Sequence, residues 1–335
     1  MNPAGFALIA LLPVLTAGAG NAQSLRETNT ALLKKLQVER ALSADSINRI
    51  ARILARSGIA GQGNPLISSH PLSEAECRRR AGTGPDSVLV QNPRFQAICG
   101  GPNLVPLYDP KTQQPEDAKV CIDKFEFPNL ACTYPVVWVK ASEAAQICAA
   151  EGERLCDAHE WEGACQGNLQ PPDYRFDLAR GKDSESAVEL MRAVHNNKYA
   201  KSKRWSYGKA YQPGVCAANS SKTPGCDGGS YGKCGSNTYP TGSFKTCKSP
   251  LGVFDLNGNA AEHMNLPLAP DQMASAGSRK LGVTEMKGSW FIFDKFRAHP
   301  DWCRWRAPFW HGTRVLSPQS HANYHLGFRC CKTLE

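Results

Sequence analysis

Beyond its first 20 positions, the 335-residue sequence has no apolar run of 18 or more residues, so nothing after the N-terminus reads as a membrane span. It contains no Cys-x-x-Cys pair, which removes a thioredoxin-type redox motif and the usual structural zinc arrangements. No internal repeat is present, so a solenoid or propeller is excluded. Residues 24–60 hold no histidine, and His159-Glu160 has no second histidine at the spacing of a zinc-protease helix.

What the chain does have is an ordinary 41% of hydrophobic residues, a net charge of +9 and 14 cysteines. The hydrophobic content supports a real core and excludes wholesale disorder. The length predicts one large domain with an appendage, or two domains. Ala4 to Ala19 is apolar and runs into Gly20-Asn21-Ala22. This stretch reads as a secretory signal, residues 1–22, cleaved after Ala22; the alternative is an uncleaved anchor. In the oxidising compartment that a signal implies, cysteines default to disulfides.

Leu25 to Arg56 predicts two short helices. Leu25, Leu32, Leu33 and Leu36 form a stripe on the first, and Ile47, Ile50, Ile53 and Leu54 on the second. Asp45 is the expected start cap of the second helix and Gly58 its end cap. Residues 23–60 thus form a helical arm that packs on a neighbouring element or, alternatively, serves dimerisation. Residues 61–117 read as a Gly/Pro/Ser-rich linker and a cysteine-bounded segment. From residue 118 onward regular elements are short and turn residues crowd the chain.

The charge is uneven. Residues 24–60 carry +4 and residues 287–332 carry +6, the latter interleaved with Trp290, Phe291, Phe293, Trp302, Trp305, Phe309 and Trp310. Such a tract can bind nucleic acid by phosphate neutralisation and stacking. In a secreted, cysteine-rich chain, a groove for a peptide or an anionic small molecule is the better expectation.

The most informative stretch is Ala141 to Gln166. Ser142 is the expected cap of a helix running to Glu151, which Gly152 ends. Asp157, with Glu160 three residues on, opens a second helix in a capping-box pattern. Further on, Asp255 to Glu262 places two carboxylates around a Gly-permitted turn, a pattern that suits calcium.

This stretch, Ala141 to Gln166, resembles the GKRLPTEAEWEYA signature of the formylglycine-generating, or sulfatase-modifying-factor, family. Thr241 to Glu262 is similar to the segment leading into that family's GN-V-W-E-W motif, Lys287 to Trp290 to its GGSW, and Leu326 to Cys330 to its closing GFRC. The order of the four motifs makes the resemblance specific over about residues 118–332. It implies an α+β fold low in regular structure, the formylglycine-generating-enzyme variant of the C-type-lectin fold, over residues 118–335.

The resemblance also implies disulfides Cys148–Cys330 and Cys165–Cys303, with Cys156–Cys331 a reasonable extra pair. Proximity alone gives Cys77–Cys99, Cys121–Cys132, Cys216–Cys247 and Cys226–Cys234 as guesses. A structural calcium is implied on the side chains of Asp255 and Glu262 and the carbonyls near Asn257, Gly258 and Ala260. Ser289, Arg304 and His325 match the family's groove positions.

The departure from the family lies at the chemistry. Its oxidases hold copper(I) on two cysteines, a soft metal on soft thiolates. Here Ile292 stands at the first position, and Cys303 is offset from the second. Standard formylglycine formation is therefore not the expected reaction, and an oxidase with a shifted thiol at Cys303 is an alternative. The expected activity is oxidative tailoring of a peptide or small molecule, in analogy with a periplasmic siderophore-maturing branch of the family. A copper or iron site is conceivable on His263 and His325 together with His299, His311 or His321. A non-catalytic binding module on the same scaffold is the other alternative.

Overall fold

The computed structural model describes residues 24–70, 72–228, 231–310 and 312–334. The expected signal peptide lies outside the described residues, as does His311. No described helix is long and apolar enough to cross a membrane.

The arm is formed by α1 (Leu25–Glu39) and α2 (Ala44–Ser57). Ser24 opens α1 with a capping box to Glu27. Ser43, not Asp45, caps α2; Asp45 stands in the first turn, where a carboxylate suits the helix dipole. Gly58 closes α2 in the left-handed conformation. Leu32, Leu36, Ile50, Ile53 and Leu54 are buried in one cluster with Ala144, Ile147 and Phe328. Each contributes roughly 1.5–3 kcal/mol by leaving water. The stripe that suggested a dimerisation arm is therefore covered by the chain's own domain. Arg40, at the end of α1, locks this docking. Its guanidinium donates to Glu151 at 2.6 Å and to Glu153 at 3.1 Å, with all three side chains buried.

The expected linker is stitched into the domain. Gly61 bridges Val137 and Asn64 bridges Gly235. Gly63 has φ +71°, and a Cβ there would stand 2.6 Å from the Gly235 carbonyl oxygen, so only glycine fits. Next come α3 (Glu74–Ala81), α4 (Pro93–Cys99) and strand β1 (Leu104–Leu107). Turn residues marked the bends of this segment but carried no information about its partners.

Strand β1 pairs antiparallel with β2 (Val120–Asp123), and with β3 (Arg154–Leu155) and β7 (Cys330–Thr333) they form a four-stranded sheet of order β1-β2-β7-β3. Helix α5 (Ala141–Ala150) begins one residue before the expected cap, Ser142, and packs beneath the arm. It leads into β3 (Arg154–Leu155) and α6 (Ala158–Gln166). Glu160 reaches back to the Asp157 N–H at 2.8 Å, the expected half of the capping box. The Asp157 carboxylate instead accepts from Asn265, Ala274 and Ser275, tying α6 to a distant loop. After α7 (Phe176–Ala179) and α8 (Ser184–Tyr199), long turns lead to a three-stranded sheet. Its central strand β4 (Ala261–Leu266) is antiparallel to β5 (Val283–Lys287) and parallel to β6 (Leu326–Phe328). Arg329 alone separates β6 from β7 (Cys330–Thr333), so the chain passes from one sheet to the other in a single residue.

All 14 cysteines form seven disulfides. Consecutive residues of a strand face opposite ways. Cys330 accordingly reaches Cys148 on α5, while Cys331 reaches Cys156 ahead of α6. Cys165 pairs with Cys303, Cys216 with Cys247, and Cys226 with Cys234. Two guesses are corrected: Cys77 joins Cys132, and Cys99 joins Cys121. The β1–β2 pairing carries the end of α4 over Cys121, while α3 packs against the loop holding Cys132. Closeness along the chain found Cys216–Cys247 and Cys226–Cys234 but could not choose between the neighbours of Cys99.

Candidate functional site

Alternation along β4 and β5 sends their side chains to two different sites. Ala261 and His263 of β4, with Thr284 and Met286 of β5, face a cavity of about 200 Å³. Glu262, Glu285 and Lys287 face the other way, into the protein. Trp290, Phe296, His299, Trp310, His321 and His325 complete the cavity wall. The His325 ring lies 4.2 Å from that of Trp290, and His299 stacks on Trp305 at 4.9 Å with planes 3° apart. Phe296 and Trp310 remain about half exposed, at 57% and 46%. Trp290 Nε1 is a buried donor without a partner among the described residues.

Among the described residues, the lining of this cavity contains no lysine, arginine or carboxylate. Lys287, Arg304, Arg306 and Arg329 of the positive tract are buried, while Lys295, Arg297 and Arg314 stay exposed. Glu162 on α6 receives Lys287 Nζ at 2.7 Å and Arg306 Nε at 3.0 Å, with Arg304 at 3.6 Å. His195 of α8 stands 3.6 Å from Glu162 and 3.1 Å from Asp173. Burial works against ionising Glu162, but the surrounding cations prevail and hold its carboxyl well below the usual range. Sequence reasoning missed this hub because its partners arrive from α8 and from the 287–306 stretch, with no local signal.

The candidate catalytic residues are dispersed. His325 lines the cavity. Cys303 is held in the disulfide with Cys165 and offers no thiolate. Arg304 lies beneath, donating to Gln166 and lying 4.7 Å from the Tyr199 ring centre. Ser289 is buried, its hydroxyl 3.5 Å from Asp301 Oδ2. Ile292 packs with Trp290 and Phe293.

Neither implied metal fits the side chains present. Copper on a thiolate pair has no thiol to use. Among the cavity histidines, His263 gives Nε2 to the Val139 carbonyl at 3.0 Å and also bonds the His321 backbone; burial pushes its pKa down to about 4. Among the described residues, three potential ligand atoms cluster only elsewhere. Two of those clusters include disulfide sulfurs, and the third is Glu162, Asp173 and His195, already ion-paired.

Calcium meets a similar obstacle. Both Glu262 oxygens take Arg329 at 2.6 Å, and Oε2 also accepts from Trp161 Nε1 at 3.1 Å. Asp255 accepts from the Gly242 N–H at 2.7 Å, and Asn257 binds Ser206 and Asp301. Ala260 lends its N–H to Glu126, and Gly258 has φ +123° at the turn. The Arg329 guanidinium occupies the place of charge that a cation on Glu262 would take. EDTA treatment is accordingly expected to leave the melting temperature unchanged; a drop of several degrees on chelation, reversed by calcium, would contradict this.

The family model described as Sulfatase-modifying factor enzyme 1-like domain matches residues 86–334. The chain belongs to this family. The match includes α4 and β1, in line with the continuity of the sheet. Among solved structures, that of CarF is similar at 15% identity, covering 60% of this chain and 68% of that one, with a TM-score of 0.28. No curated protein matches the chain.

Proposed function

We propose that this chain acts outside the cytosol, in an oxidising compartment, and oxidatively tailors a peptide or small molecule held in the histidine–aromatic cavity. The reaction is distinct from copper-thiolate formylglycine formation. One observation carries this reading: an open-mouthed aromatic cavity gathers four histidines and a buried indole N–H without a partner among the described residues. Such a pocket recognises a ligand by stacking and a few placed polar groups. Seven disulfides agree with an oxidising location, and the apolar stretch at residues 4–19 supplies the export signal.

A second reading, a binding module on the same scaffold, is favoured by the lack of three converging donor atoms at the cavity among the described residues. Protein purified from its native compartment separates the two. Oxygen uptake on added peptide supports tailoring, whereas ligand binding without oxygen uptake supports the module. The shifted-thiol oxidase requires reactive thiols. Thiol titration of the oxidised, denatured protein is expected to find none.

A further inference from the structure

Away from the histidine cavity, a cleft of about 370 Å³ opens beside α4, β1 and the 248–254 turn. Extended segments are pinned side by side at its edge. The Phe254 N–H donates to the Lys124 carbonyl at 2.9 Å, and Lys248 pairs antiparallel with Phe254. This backbone pairing brings two ammonium groups to one aromatic ring. Lys124 Nζ lies 5.6 Å and Lys248 Nζ 5.9 Å from the Phe254 centre.

Lys124 donates to the carbonyls of Val88 and Val90, each at 3.2 Å. Among the described residues, neither lysine has a carboxylate partner. Asp86 is the one carboxylate residue of the lining; it is exposed and pairs with neither. Burial, reinforced by Lys248, pushes the Lys124 ammonium down to about 8. Two cations on one ring without a counter-ion repel each other, and an anion between them relieves both. The rest of the lining sets apolar Phe95, Val105, Leu251 and Phe254 beside the amide side chains of Gln91 and Gln96. A bare inorganic ion leaves that surface unused.

We propose that this cleft binds an organic carboxylate, its anionic group set between Lys124 and Lys248 and its apolar body lying against Phe254. The site stands independently of the activity at the histidine cavity. Calorimetry on the full chain with phenylacetate, its neutral amide phenylacetamide, and sulfate tests it. Phenylacetate is expected to bind at least ~10-fold more tightly than either of the others, the factor that one charge-assisted contact of about 1.4 kcal/mol supplies. Lys248→Met, at an exposed position, is expected to weaken phenylacetate binding about 10-fold without changing the melting temperature. Lys124→Met should do the same to affinity, and bound phenylacetate should raise the Lys124 pKa in a ¹³C NMR titration. Equal affinity for acid and amide, equal affinity for sulfate, full binding by the Lys248→Met variant, or no phenylacetate binding would each overturn the proposal.

Discussion

Replacing Cys148 and Cys330 together by alanine is expected to cost about 2–3 kcal/mol of unfolding free energy, and about 4–5 kcal/mol where Cys156–Cys331 has already been removed. The bridge spans 182 residues, the longest loop of the seven, and the entropy it removes from the unfolded chain grows with the logarithm of loop length. It also joins α5, which carries the docked arm, to the strand where the chain passes between sheets. Urea denaturation with the other six bridges intact measures the effect. The neighbouring Cys156–Cys331 bridge encloses nearly the same stretch, so removing it second should cost more than removing it alone. A loss below about 1 kcal/mol for the first pair would show that the second already confines the unfolded chain.

The other large effect is expected at Glu162. Changing it to glutamine keeps the shape but leaves Lys287 and Arg306 facing a neutral amide in the interior, at a cost of about 3–5 kcal/mol. Asp173 and Glu285 remain near these cations and set the lower end of that range. Lys287→Met made in the Glu162→Gln background should recover part of the loss, because it removes one of the stranded charges. A double-mutant cycle read by urea denaturation checks both statements. Additive losses would mean that Lys287 and Glu162 do not act as a pair, despite their 2.7 Å contact. The hub lies on the face of β5 opposite the cavity-lining Thr284 and Met286. Softening it is therefore expected to weaken ligand binding at the cavity as well as stability.

The family and the motif order were legible because they rest on local chemistry. A capping glutamate, a glycine-permitted turn and a helix-ending glycine act on residues a few positions away, and so leave their trace in short segments. Glu160, Gly58 and the helical stripes of the arm are of this kind. The paired cysteines of β7 came through for a related reason: Cys330 and Cys331 belong to the closing motif, and strand geometry sends them apart.

The site was less legible, and its residues show why. Arg304, Lys287 and Arg306 look in sequence like a basic groove, since charge and aromatic content are all that a linear tract displays. Whether such a side chain meets water or a carboxylate depends on Glu162, which lies 125 positions before Lys287 along the chain. Ser289 and Cys303 shared that fate, one buried against Asp301 and the other bridged to Cys165. The amino-acid sequence by itself determined the family, the cysteine parity that leaves no thiol over, and the local starts and stops of the elements. Tertiary structure alone decided which cations are neutralised, that Arg329 takes the carboxylate expected for calcium, and that four histidines from distant segments meet at one cavity. Those outcomes depend on long-range packing and on the charges it brings together, and no local pattern encodes them.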